Sequence, residues 1–291
     1  MERHALHPEG PVFSRIIAGA WRWHTVTPET VANLIHGSLE CGITTFDHAD
    51  IYGDHSNEEI FGSVLKKNAA LRNGMELVTK CGIKFPSAKR PATWVKHYDT
   101  SKMHIVWSVE NSLKMLGTDR LDLLLIHRPD PLLNPEEVAE AFDWLRESGK
   151  VLHFGVSNFT PTQFEMLQSY LSFPLVTNQV EISLTCHAAM FDGTLDVLMK
   201  HRASPMAWSP LGGGSLLSTQ NDYLNRKASL LGATETQILL AWLLKHPSKI
   251  FPVVGTTKPE RIKESANTIG FNLDKQDWFD ILKAAQGKEM P

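Results

Sequence analysis

Eight short apolar runs recur along the chain, and their spacing restricts the fold more than any other feature. They are RIIAGA (15–20), ITTFDHA (43–49), ELVTKCG (76–82), LDLLLIH (121–127), LHFGVSN (152–158), LVTNQVEI (175–182), PMAWSP (205–210) and IFPVVGT (250–256). Each has strand length and is continuously apolar rather than alternating, the pattern of a strand buried on both faces. Longer amphipathic segments lie between them. In TPETVANLIHGSLECG, residues Val31, Leu34, Ile35, Ser38 and Leu39 share one face, with Gly42 at the C-cap position. In SKMHIVWSVENSLKMLG the stripe is Ile105, Val106, Val109, Leu113 and Leu116; in PEEVAEAFDWLRESG it is Val138, Ala141, Phe142 and Leu145. Thr27-Pro28, Asn134-Pro135 and Thr160-Pro161 each place a capping side chain before a first-turn proline, and Gln163 completes a capping box on the third.

A strand–helix unit repeated eight times predicts a parallel sheet with helical crossovers, closed as a (β/α)8 TIM barrel. The expected domain is a single one over 1–291, with NLDKQDWFDILKAAQG as an extra C-terminal helix. An open doubly wound sheet binding a dinucleotide would carry G-x-G-x-x-G after its first strand; this chain reads GAWRWH there.

Composition excludes several classes. The chain has 291 residues, 42% hydrophobic, with a formal net charge of −3 and no basic stripe, so no nucleic-acid partner is expected. The opening MERHALHPEG has no apolar core for a signal peptide, and no run approaches membrane-spanning length. Cys41, Cys81 and Cys186 are scattered without a CxxC pair, which argues against a disulfide framework or a zinc site and favours a cytoplasmic setting.

The ionisable residues then fall into place. In a (β/α)8 barrel, chemistry sits at the C-terminal ends of the strands. Asp47 ends the second predicted strand, Lys80 the third and His127 the fourth, and Tyr52 follows Asp47 by five residues. A lysine beside a tyrosine favours the phenolate and should lower the phenol pKa. A carboxylate keeps that lysine charged, and a neutral imidazole can hydrogen-bond a carbonyl oxygen. This set suits protonation of an oxygen while hydride reaches the adjacent carbon.

FDHADIYG, VTKCG and LLLIHRPD, with GVSNF, NQVEIS and WSPLGGG, resemble the aldo-keto reductase family across essentially the whole chain. The resemblance implies NADPH-dependent reduction of small aldehydes or ketones to alcohols without a metal, by a tetrad Asp47, Tyr52, Lys80 and His127 with Tyr52 as proton donor. It implies that Ser157, Asn158 and Gln179 hold the nicotinamide carboxamide and that Trp208, a position more often tyrosine, stacks on the ring. Ser209, Leu211 and Gly212 match residues lining the pyrophosphate. VVGTTKPERIKES resembles the 2′-phosphate site, which implies cofactor contacts from Gly255, Thr256, Thr257, Lys258, Arg261, Glu264 and Ser265, with Ser265 where asparagine is common. Ala20 and Trp21 complete the cofactor set, and Trp21, Trp23 and Arg128 the substrate pocket. Thr257 and Glu260 fit a capping box at the start of that helix. A short loop after Gly214 and a short C-terminal tail suggest an open pocket. A monomer is the default. The rival readings are a Schiff-base aldolase using Lys80, a metal hydrolase built on Asp47, His48, Asp50, His55 and His127, and a non-catalytic NADP-binding regulatory subunit.

Overall fold

The structure, a computed structural model, describes residues 1–218 and 222–289. Eight parallel strands close into a barrel: β1 Ile17–Gly19, β2 Thr45–Asp47, β3 Glu76–Cys81, β4 Leu123–Ile126, β5 Phe154–Ser157, β6 Leu175–Glu181, β7 Met206–Trp208 and β8 Phe251–Val254. Each pairs with its neighbour in chain order, and β8 returns to β1 through Val253–Ile17 and Val254–Ala18. All eight lie inside the predicted runs.

The crossovers are helical: α1 Pro28–Glu40, α2 Asn57–Lys67, α3 Lys102–Leu116, α4 Pro135–Glu147, α5 Pro161–Gln168, α6 Thr194–Lys200, α7 Asp222–Leu231, α8 Glu235–Leu244 and α9 Pro259–Ala266. The expected caps form. Thr27 accepts from the Thr30 amide, Asn134 from the Glu136 amide, and Thr160 and Gln163 make a reciprocal box. The extra helix α10, Lys275–Gln286, docks by a stacked Trp242–Trp278 pair, ring centroids 4.9 Å apart. Each indole N–H donates to the other residue's carbonyl, so both polar tips are satisfied where they pack.

The core has two parts. An outer shell between strands and helices includes Phe46, Leu77, Leu124, Ile126 and Phe154. An inner cluster fills the barrel with Ile17, Val78, Leu123, Leu125, Val176, Met206 and Phe251. Leu6 and Phe13 join this inner cluster from an N-terminal antiparallel hairpin, Arg3–Ala5 with Val12–Ser14, which corks the base of the barrel. The eight apolar runs begin only at Arg15, so this hairpin lies ahead of all of them. Gly155 shows how crowded the interior is: a Cβ there would lie 2.8 Å from Leu125, and from both a side-chain and a backbone atom of Thr177.

Three further features depart from expectation. The loop after β3 carries a small flap, Ile83–Lys84 paired with His97–Tyr98. The segment between β7 and β8 holds α7 as well as the expected α8, so it is not a bare short loop. The expected Thr257–Glu260 capping box is absent: Lys258 is the N-cap of α9 and no side chain caps it. Thr256 Oγ1 accepts from the Lys258 amide instead, one turn position earlier.

Candidate active site

Strand parity places the chemistry. Val78 faces the barrel interior, so Lys80, two residues on, faces the same way at the mouth; Leu123, Leu125 and then His127 do likewise on β4. On β6 a register shift between Leu175 and Asn178 changes the parity, so Val176 faces inward at the base and Gln179 at the mouth. Tyr52 stands on a short turn, Tyr52–His55, in which Gly53, Asp54 and His55 all have positive φ. Asp54 and His55 in this left-handed region store strain beside the site.

Lys80 is the hub. Its ammonium donates to Asp47 Oδ2 at 2.7 Å, to the His48 carbonyl at 2.8 Å and to Tyr52 Oη at 3.2 Å. Three acceptors meet three ammonium protons, so a lysine only 1% exposed is fully satisfied. Burial pulls its pKa down, but Asp47 and Tyr52 outweigh that and hold it above the ordinary value. Gln179 Nε2 donates to the other Asp47 oxygen at 2.8 Å. His127 packs edge-on to the Tyr52 ring, centroids 5.9 Å apart, and its Nδ1 has no partner among the described residues. Burial first, then Lys80, Arg128 and Lys96, push the His127 pKa well below its usual value, so the imidazole is neutral.

Tyr52 corrects one expectation. Its pKa is raised, not lowered, because burial outweighs the pull of Lys80 and Asp47 opposes that pull. The phenol therefore keeps its proton at neutral pH.

These four residues adjoin a cleft of about 750 Å3, lined by Asp47, Tyr52 and His127 at its floor. Trp21, Arg128, Ser157, Asn158, Trp208, Ser209 and Leu211 also line it, as do Gly255, Thr256, Thr257, Lys258, Arg261 and Ser265. Trp208 Nε1 donates to Asn158 Oδ1 at 2.9 Å, and the Arg128 guanidinium lies 5.7 Å from the Trp208 ring centroid. Asn158 Nδ2 in turn reaches Ser157 Oγ and the His127 carbonyl. Ser265, by contrast, spends its hydroxyl on the Arg261 carbonyl within α9.

Five expected site residues fall outside this lining: Lys80, which stands behind Asp47 and Tyr52 and reaches the cleft through them, and Trp23, Ala20, Gly212 and Glu264. Trp23 is core rather than pocket wall: it is 2% exposed, stacks on Phe61 and donates to the Thr256 carbonyl. Ala20 is buried with its carbonyl taken by Asn57. Gly212 and Glu264 also lie off the cleft wall. Conversely, Lys96 and Tyr98 line the cleft from the flap, and Ile51 and Asp54 from the Tyr52 turn. The flap residues carried no periodic signal, since their loop is broken by Pro86 and Pro91.

The residues that line the cleft beyond Trp208 could accommodate an adenine dinucleotide. A Cβ at Gly213 or Gly214 would meet nothing within 4 Å, so backbone there is open to close approach. No side chain caps α9, although the Lys258 amide is taken by Thr256 Oγ1 and the Arg261 amide by the Lys258 carbonyl; the side chains of Lys258 and Arg261 have no ion-pair partner among the described residues. The helix dipole and two cations unpaired among the described residues could hold a phosphate.

Comparisons with known proteins agree with this fold. The chain is 48% identical over 297 residues to a 6-dehydroglucose reductase of Agrobacterium fabrum, covering 100% of both chains. It is 46% identical over 300 residues to the oxidoreductase YdhF of Escherichia coli, again covering 100% of both. Among solved structures, a thermostable aldo-keto reductase, Tm1743, in complex with the inhibitor epalrestat superposes with a TM-score of 0.85 at 26% identity, covering 98% of this chain and 100% of that one. The profile of the aldo/keto reductase family matches residues 15–286. A closed eight-stranded barrel, an acid, a phenol, a lysine and an imidazole gathered at its mouth, and a family match over that span lead to one conclusion: the chain belongs to the aldo/keto reductase family, whose members carry out oxidoreduction of carbonyl compounds.

Proposed function

We propose that the chain, acting as one domain over residues 1–291, is an NADPH-dependent reductase of small polar aldehydes or ketones, with Tyr52 as the proton donor. The observation that carries this reading is the bond from Lys80 to Tyr52, with Lys80 anchored by Asp47 on its other side. Bound nicotinamide would supply hydride to the carbonyl carbon. The protein's own residues do the rest. Neutral His127 and protonated Tyr52 stand together at the cleft floor, where both can hydrogen-bond a carbonyl oxygen. As negative charge builds on that oxygen, Tyr52 gives up its proton, and the Lys80 ammonium stabilises the phenolate left behind. Asp47, fixed by Gln179, keeps Lys80 charged and aimed.

Lys258, Arg261 and the open start of α9 support NADPH over NADH. Lys96, Tyr98, Asp54 and Arg128 make the substrate side polar, which favours oxygen-rich carbonyls. Sugar aldehydes head the set to test, because two relatives at 48% and 38% identity are 6-dehydroglucose reductases. The aldolase reading is disfavoured by the same geometry: a Schiff base needs a neutral amine, and Lys80 is fully hydrogen-bonded with a raised pKa.

The test is NADPH oxidation followed by absorbance over a panel of sugar, aliphatic and aromatic aldehydes and ketones. Turnover with polar aldehydes is expected. NADPH binding with no turnover on any carbonyl would point instead to the regulatory-subunit reading.

A further inference from the structure

A second cavity, about 300 Å3, lies under the flap against α3. Among the described residues, Ile83 is the one lining residue it shares with the catalytic cleft. Two stacked aromatic pairs frame it. His55 lies parallel to Phe85, centroids 5.2 Å apart and planes 6° apart, and His104 lies on Trp107 at 5.6 Å and 22°. The site therefore offers flat walls.

Its charge is uncompensated. The Arg90 guanidinium lies 4.9 Å from the Trp107 ring centroid, and among the described residues it hydrogen-bonds only the Lys89 carbonyl. Lys89 has no ion-pair partner among those residues, whereas the third cation, Lys84, is taken by Asp99. The one carboxylate among the described lining residues does not offset them. Asp50 is buried, accepts from Ser108, and has its pKa lifted by burial to about 8, so it is uncharged at neutral pH. Three of the lining side chains also hold buried polar atoms without a partner among the described residues: Asp50 Oδ1, His55 Nε2 and His104 Nε2. These three atoms are sealed within the walls, so what the cavity presents to an occupant is its aromatic faces and its cations.

We propose that this cavity binds a small planar aromatic carboxylate, its ring against Phe85 and Trp107 and its carboxylate toward Lys89 and Arg90. The aromatic walls select a flat ring, the two free cations select an anion, and the volume stands at the small end of ligand sites, about 300–1,000 Å3. The occupant would touch the segment that carries Lys96 and Tyr98 into the catalytic cleft. None of this depends on the reductase reading, and the test needs no turnover.

The full-length protein is titrated calorimetrically with 2-naphthoate at millimolar concentration, alongside its uncharged analogue 2-naphthamide. Naphthoate should bind and naphthamide should bind much more weakly. Lys89→Gln with Arg90→Gln should raise the naphthoate Kd by about 10-fold or more, the scale of losing charge-assisted contacts. Arg128→Gln, in the catalytic cleft, should leave that Kd unchanged. Trp107→Leu, at a half-exposed helix position, gives a second route and should also weaken naphthoate. The proposal is overturned if naphthoate fails to bind, if naphthamide binds equally well, if Trp107→Leu has no effect, or if affinity is lost in Arg128→Gln rather than in the Lys89 and Arg90 variants.

Discussion

Gln179 on β6 donates a 2.8 Å hydrogen bond to Asp47 on β2, joining residues 132 positions apart across the barrel mouth. It occupies the Asp47 oxygen that Lys80 leaves free. The sequence resemblance assigns Gln179 to the cofactor; the structure also ties it to the tetrad. Gln179→Leu should leave a buried carboxylate oxygen unpaired, which costs about 1–3 kcal/mol. Thermal unfolding should report that loss, and kcat should fall as Lys80 loses its fixed partner. Gln179→Glu should be worse still, because it faces Asp47 with a second carboxylate. Unchanged stability in both variants would remove Gln179 from the network.

Tyr52→Phe deletes one oxygen and leaves the ring against His127. General acid catalysis contributes roughly 10²–10⁴-fold, so kcat should drop by about that factor while NADPH affinity stays near wild type. Steady-state kinetics with a matched cofactor titration separates the two. Retention of most activity would reassign the proton donor.

Replacing Lys258 and Arg261 together by alanine should weaken NADPH and spare NADH. Each charge-assisted contact contributes about 1.5–3 kcal/mol, or roughly 10- to 100-fold in affinity. Both side chains are exposed, so the effect should shrink as salt rises. Equal loss of both cofactors would mean that the pair does not read the 2′-phosphate.

Burial lifts Asp50 from 3.8 to about 8 and Glu58 from 4.5 to about 7. Both acids bind protons in the folded state that the unfolded chain has released. Their contribution is thus full below pH 3.8 and 4.5 respectively, and it fades as pH climbs through the raised values. Buried His48, pushed down from 6.5 to about 3, acts in the opposite sense, but only below 6.5. Between pH 6.5 and about 8.5, therefore, the melting temperature should decline, and Asp50→Asn with Glu58→Gln should flatten that slope. A wild-type profile as flat as the variant's would contradict the buried-acid account.

The sequence made the barrel legible because buried parallel strands are continuous apolar runs, and eight of them leave few other architectures. Asp47, Lys80 and His127 were legible because they interrupt such runs at the end where a barrel keeps its chemistry. What the sequence concealed was set by three-dimensional packing. Trp23 and Trp21 are two residues apart, and only the packing of Phe46 and Phe61 around one of them makes it core. The N-terminal hairpin has three-residue strands, too short for a period to register. The direction of the Tyr52 shift depends on how burial balances against Lys80, a sum that residue types alone do not give.

The hairpin at the base has a consequence for traffic. With Leu6 and Phe13 seated among the inner residues, the barrel is packed solid from its base upward and offers no passage through it. On the proposed reaction, reactant, product and cofactor would all pass through the open mouth bordered by Trp21 and the flap. Throughput is then a queue: whatever narrows that entrance slows departure as much as arrival.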